Sequence, residues 1–275
     1  MPLHEAFAHF NDVLQVTAML ELFLAEFLRS WRQFRRYAGE AVGLIGVTTI
    51  LFYGLFLGAR YVAGPALQLE DKIDSIIVGY VLWTLVLYII SDIAGNLQEE
   101  AQTGTLEQLF LSKFSATKLL LMRTLASLTL QMVIIFSILF IIMGLTGSRL
   151  TFTPVLLLPF ITVLTGTYGM AFILGAIALL LKRVQQLIGV VNFILLFLLV
   201  TPTETWSPPL NFLAQLLPIT PGAGLLRDLM ARGESLSVVG LGIAIINGGF
   251  YLAVGLILFH LAERRAKQRG TLTGY

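Results

Sequence analysis

The sequence predicts an all-α integral membrane protein with six transmembrane helices. An N-terminal amphipathic interfacial helix, a short cytoplasmic helix after the second span and a re-entrant helical hairpin before the last span complete the expected fold. Three observations carry that prediction. Of the 275 residues, 57% are apolar and only 12% are charged, whereas soluble proteins carry about 25% charge. The apolar residues gather into charge-free intervals long enough to cross a hydrocarbon core about 30 Å thick, which takes about 20 helical residues. The basic residues fall unevenly between the connections, as they do where positive loops are retained inside. This composition excludes an ordinary cytosolic enzyme and, with 19 phenylalanines, a disordered chain. A net charge of +2 argues against nucleic acid as a partner. The lack of cysteine excludes disulfides, thiolate metal sites and a cysteine nucleophile.

Residues 1–38 make the first element, a cytoplasmic interfacial helix. Leu20, Phe23, Leu24, Phe27, Leu28, Trp31 and Phe34 repeat at helical spacing, and Glu21, Glu26, Arg29, Arg32 and Arg35 occupy the remainder. Such a helix lies along the inner membrane surface, its basic end near anionic headgroups. The alternative is a helix packed on a soluble domain, for which no segment is available. Met1 to Phe10 has no basic region leading into a short apolar stretch and carries Glu5, so the N-terminus is expected to stay untranslocated.

Six charge-free intervals then lie between Glu40 and Arg60, Asp74 and Asp92, Arg123 and Arg149, Arg149 and Lys182, Arg183 and Glu204, and Glu234 and Glu263. They place spans at 39–59, 73–93, 119–145, 154–181, 184–201 and 236–261. Pro154 and Pro159 mark an entry turn on the fourth, whose interval is too short for two crossings. With both termini cytoplasmic, thirteen of the 18 basic residues lie inside, and Arg60, Lys72, Arg149, Arg227 and Arg232 lie outside.

Two connections are more structured than plain loops. After the second span, good helix formers run to Gln102, and Gly104 ends the helix in a left-handed conformation. Thr105 and Gln108 then form a capping box that starts a short helix over 104–113, with Leu106, Leu109 and Phe110 on one face and Glu107 elsewhere. Ser115 caps the third span. A solvated connector whose Gly and Thr merely cap two helices is the competing reading of this punctuation. Between the fifth and sixth spans, residues 204–232 are rich in proline yet too apolar to float in water, and Leu210 to Leu217 is too short to cross. Thr220 and Pro221 read as the N-cap and first turn of a second short helix. Two short helices that dip into the outer leaflet and return account for the pattern, and an interfacial hairpin lying flat is the alternative.

The run Glu100-Ala101-Gln102-Thr103-Gly104-Thr105-Leu106-Glu107-Gln108-Leu109, followed by Ser112 and Arg123, resembles the cytoplasmic loop of ABC-2 type transporter permeases. The resemblance is gap-free from Glu100 to Arg123, and the six-span layout extends it loosely over the chain. It departs from the family where Lys113 replaces the proline usual after Ser112, which leaves the end of the short helix open. The resemblance implies a membrane permease subunit of an ATP-driven exporter in the cell membrane, paired with itself or a related permease and driven by cytosolic ATPase subunits that bind ATP and Mg. It makes the short helix a coupling helix, with Glu100, Gly104, Thr105, Leu106, Glu107, Leu109 and Phe110 docking on the ATPase. A re-entrant element before the last span is also a family feature.

The residues themselves exclude several chemistries. None of the five lysines follows a glycine, so no phosphate-binding loop exists and no cofactor is expected on this chain. His4, His9 and His260 lack metal-ligand spacing, and neither a Gly-x-Ser-x-Gly nor paired acids within a span is present. Few ionisable groups inside the spans argues against proton coupling, and Asp92 is placed at the cytoplasmic interface. Polar uncharged stripes are richer: Thr49 and Tyr53 on the first span, Tyr80, Thr84 and Tyr88 on the second, and Gln185, Gly189 and Asn192 on the fifth. They suit a route for a lipid-like, amphipathic-drug or glycan substrate, and equally suit helix-packing groups satisfied by their neighbours. In the resembling family these spans border the route. Gly39 with Gly43 and Gly54 with Gly58 predict close helix contact. An ATPase-independent scaffold or lipid-binding, flippase-like module is the functional alternative.

The topology has a direct test. Cysteines at Ser148→Cys and Ser207→Cys are expected to react with an impermeant thiol reagent added outside intact cells, and Gln268→Cys is not; external labelling of position 268 would overturn it.

Overall fold

A computed structural model describes residues 3–63, 73–103, 115–181 and 184–268, and among them every regular element is a helix. Helix α1 spans Leu3–Arg36 and turns at Tyr37 into α2, Ala38–Ala63. Helix α3, Ile73–Ile90, runs through a π-helical turn, Ser91–Gly95, into α4, Asn96–Thr103, as one rod. Helix α5 is Ala116–Thr146, α6 is Leu157–Leu181 after a 3-10 turn at Pro154–Leu156, and α7 is Gln185–Val200. Two short helices, α8 (Leu210–Leu216) and α9 (Thr220–Met230), precede α10, Val238–Gln268.

Among the described residues, five helices are long and apolar enough to cross a membrane: 38–58, 73–103, 116–146, 154–181 and 238–268. Helix α7 is apolar but has 16 residues, about 24 Å of rise against a core of about 30 Å. The rod and α6 form the centre, with 67% of the most apolar 18-residue stretch of each buried among the described residues, while the corresponding stretches of α2 at 11% and α10 at 22% lie at the periphery.

Close packing follows small residues. A Cβ on Gly169 of α6 would lie 2.3 Å from the Tyr251 backbone carbon, and one on Gly255 of α10 would lie 2.3 Å from the Gly169 carbonyl oxygen. On α3, a Cβ at Gly79 would sit 1.9 Å from the Leu199 carbonyl oxygen of α7. Lipid offers no hydrophobic drive between helices, so backbone approach of this kind supplies the dispersion contact that holds them. The expected contacts at Gly39, Gly43, Gly54 and Gly58 are not made within the chain: a Cβ at any of them meets nothing within 4 Å. Among the described residues α2 is approached on its Thr48 and Phe52 side, and no helix comes against these glycines.

The apolar face of α1 is divided. Phe23, Phe27 and Phe34 are half-buried, and α1 packs on α5, while Leu20, Leu24, Leu28 and Trp31 stay exposed. Two cap readings also change. Ser115 stands at the N-cap of α5, but its hydroxyl makes no capping bond. Thr220 is the first residue of α9 rather than its cap, and its hydroxyl reaches back to the carbonyls of Ala214 and Leu217, tying α9 to the end of α8. Ile219 takes the cap position with φ 71°. The end of α9 is stitched in turn to the strand-like entry of α6, where the Thr151 amide donates to the Met230 carbonyl at 2.9 Å.

Overpacking at the glycine contacts is expected to cost about 1–3 kcal/mol. Gly169→Val and Gly79→Val should lower the melting temperature in detergent, and Gly144→Val, at a position with nothing within 4 Å of an added Cβ, should not. Equal melting of all three would remove the glycine contacts as the basis of packing.

Candidate functional site

At the end of the bundle that carries the α4–α5 connection, α1, α2, the rod and α5 enclose a cavity of about 620 Å³. The packing of α1 on α5 brings Glu26 to its wall, and the π turn brings Asp92. A π turn inserts one residue into the helix and opens its backbone ladder, so it aims a side chain that a regular α-helix would place elsewhere.

Arg123 of α5 joins three helices there. Its Nη1 donates to Glu100 Oε1 of α4 at 2.8 Å, and its Nε lies 3.9 Å from Glu26 Oε1 of α1. Arg29 Nη1 stands 3.5 Å from the other Glu26 oxygen. Asp92 is held differently. Its carboxylate accepts from Ser127 Oγ at 3.1 Å and Asn96 Nδ2 at 3.2 Å, and no cationic group pairs with it among the described residues.

The sequence-predicted site residues divide between cavity, core and undescribed chain. Glu100 and Tyr88 line the cavity. Tyr80 is buried at the heart of the bundle, its hydroxyl donating to the Thr48 carbonyl of α2 at 2.7 Å and its ring edge-on to Phe52 at 5.2 Å. Thr84 donates to Val81 of its own helix at 2.7 Å. Tyr53 is half-buried. The Thr49 hydroxyl and the Asn192 side-chain oxygen are enclosed without a hydrogen-bond partner among the described residues, although the Asn192 backbone carbonyl accepts from Trp83 Nε1 at 3.0 Å. Gln185 and Gly189 face outward. Gly104, Thr105, Leu106, Glu107, Leu109 and Phe110 lie outside the described residues.

Sequence reasoning missed a second charged centre at the opposite end. Arg227 of α9 is completely enclosed; its Nε and Nη2 grip the Glu204 carboxylate at 2.9 and 2.6 Å, and its Nη1 donates to the Leu199 carbonyl at the end of α7, 2.7 Å away. Arg232 adds a bond to Glu204 at 2.8 Å and another to Asp228. The available signal was an acid and an arginine sharing an apolar, proline-rich loop, where an unpaired charge is too costly to leave.

The architecture is that of a helical multi-pass membrane protein whose charges concentrate at the two ends of the bundle. The ABC-2 type transporter family model matches residues 26–231, and the chain belongs to that family. It is thus the permease component of an ABC transporter, the transport part and not a catalytic one, and such permeases generally work with cytosolic ATPase subunits. Comparison with curated proteins found no match.

The Glu204 clamp makes stability depend on pH. Burial pushes this carboxyl up, but the hydrogen bonds and charge of Arg227, with the charge of Arg232, hold it below its ordinary value. The clamp therefore contributes fully above the unfolded carboxylate value, about 4.3, and is lost as pH falls through the lower folded one. Glu204→Ala strands the Arg227 guanidinium, a loss of about 3–5 kcal/mol. Melting curves should show a wide gap between wild type and variant at neutral pH that narrows below about pH 4; a gap independent of pH would assign the loss to packing.

Proposed function

We propose that this chain forms the transmembrane pathway of an ATP-driven exporter, as a homodimer or with a related permease, coupled to separate ATPase subunits through residues 104–113. The observation that carries this reading is the family match, whose bounds, residues 26–231, include that segment. The Arg123–Glu100 pair supports it: α4, which leads into that segment, is tied by Glu100 to Arg123 of α5, which in turn lies against Glu26 of α1. A displacement of the segment by a docked ATPase has a rigid path into three helices.

Chain 1–275 is read as a single permease domain of six crossings, with α7 as the short fifth and both termini cytoplasmic in the cell membrane. In this reading α1 lies at the inner surface, where its exposed Leu20, Leu24, Leu28 and Trp31 meet membrane lipids. Helices α8 and α9 enter the outer leaflet and return, their broken backbone covered by the Arg227 clamp and by the Asn247 amide, which donates to the carbonyls of Gln215 and Leu217. A lipid-like, amphipathic or glycan substrate moves along Thr49, Tyr53, Tyr80, Thr84, Tyr88 and Asn192. The unpartnered oxygens of Thr49 and Asn192 favour such a polar route, since an enclosed acceptor without a donor is costly unless something visits it. ATP and Mg belong to the partner ATPase.

Truncating a buried anchor of the coupling segment should break assembly before folding. Leu106→Ala or Phe110→Ala is expected to lose about 2 kcal/mol or more of ATPase binding, read as loss of a phosphate-loop protein on co-purification with unchanged melting. Intact co-purification with reduced melting would return the segment to a capped connector, and purification of the native chain without any ATPase would favour a scaffold or flippase-like module.

A further inference from the structure

The cavity beside Asp92 is charged out of balance. Among the described residues Glu26, Glu40, Asp92, Glu99 and Glu100 line it against Arg29 and Arg123, and both arginines already lie against Glu26, with Arg123 also on Glu100. Asp92 keeps two neutral donors and no ion-pair partner among the described residues, and the charge of Arg123 reaches it only through space. A second observation is independent of charge. Gln131 stands one helical turn beyond Ser127 on the same face of α5, lines the cavity and is only 8% exposed, yet its amide has no hydrogen-bond partner among the described residues. The side chain is buried except where it borders the cavity, so its amide is free to take a partner from within that space. Away from Asp92 the wall turns apolar at Leu44, Leu130 and Ile134, and the rings of Tyr88 and Phe34 border it.

We propose that this cavity binds an ammonium ion carried on an apolar tail, with the Asp92 carboxylate and the Gln131 side-chain oxygen receiving the ammonium N–H groups. The aromatic rings offer their faces to the cation, and the apolar wall takes the tail. At about 620 Å³ the space suits a ligand of drug size. An anion is opposed by the excess of carboxylates, and a bare metal ion would leave the apolar wall unused. The same chemistry is found in an ethanolamine lipid headgroup and in a free amphipathic amine. The site stands apart from the transport reading, because binding requires neither ATP nor a partner.

Dansylcadaverine, a primary ammonium on a fluorescent apolar body, tests it on the full chain in phosphatidylcholine nanodiscs, whose headgroups lack N–H donors. The cation is expected to bind at least about tenfold more tightly than its neutral N-acetyl derivative and than anionic dansylglycine, the scale of a charge-assisted hydrogen bond. Asp92→Asn should weaken it by about tenfold or more while melting is unchanged. Because the chain has no cysteine, Gln33→Cys on the cavity wall reports position: bound probe should slow its reaction with a maleimide. Should Asp92→Asn fail to fold, the three probes and the protection at position 33 decide on otherwise native protein. Equal binding of the neutral derivative, tighter binding of the anion, unaltered binding to folded Asp92→Asn, or no protection at position 33 would each overturn the proposal. Displacement of the probe in phosphatidylethanolamine nanodiscs identifies the lipid headgroup as occupant, and persistence of binding there identifies a free amine; either keeps the site.

Discussion

The contact between the backbones of α6 and α10 is the constraint on which the rest of this structure depends. Inside a bilayer, apolar side chains gain nothing by leaving lipid for protein, so helices must be held by shape and by shared polar groups. At Gly169 and Gly255 the two backbones meet with no room for a Cβ on either side. Helix α6, fixed in this way, supports the π turn, α3, α4 and α9 on its other faces. Once α6 is central and glycine-bearing, the rod has a wall to lie on, and α2 and α10 are left to meet the surroundings.

The two charged ends show opposite solutions to one problem. Arg227 is wholly enclosed, yet each of its three guanidinium nitrogens donates to an oxygen, two from Glu204 and one from Leu199. That arrangement is complete and leaves nothing to recruit, which suits a fixed clamp joining the end of α7 to the short helices. The cavity end is incomplete. Among the described residues its acids outnumber its bases, and the Gln131 amide has no partner. Closed electrostatics go with structure, and open electrostatics with exchange.

The helices were legible because their signal is local. Long charge-free runs give Ala116–Thr146 and Val238–Gln268 without any knowledge of neighbours, and the five prolines in residues 202–221 reveal the breaks around α8 and α9. Tertiary partners were not legible. The glycines of α2 carry the same small-xxx-small spacing as packing glycines, but it is Gly79, Gly169, Gly248 and Gly255 that have a backbone within 3 Å of an added Cβ, a fact set by the order of helices in space. The apolar stripe of α1 was visible in the sequence, while its division into a buried and an exposed half depends on where α5 lies. The Asp92 environment depends on Ser127, 35 residues away, and Arg227 finds its partner 23 residues upstream across a chain reversal.

The π turn at Ser91–Gly95 makes the rod a helix with a change of phase in it. One added residue rotates everything beyond it by about 100° relative to a regular helix. Tyr80 and Glu100 therefore belong to two different helical wheels, and their directions are set independently on either side of the turn. Losing a single residue within this turn would restore regular winding and swing α4 around its axis, parting Glu100 from Arg123 while leaving Tyr80 on Thr48 undisturbed. Chain length in those five residues, more than their chemistry, fixes how the membrane half of the rod faces its terminal half.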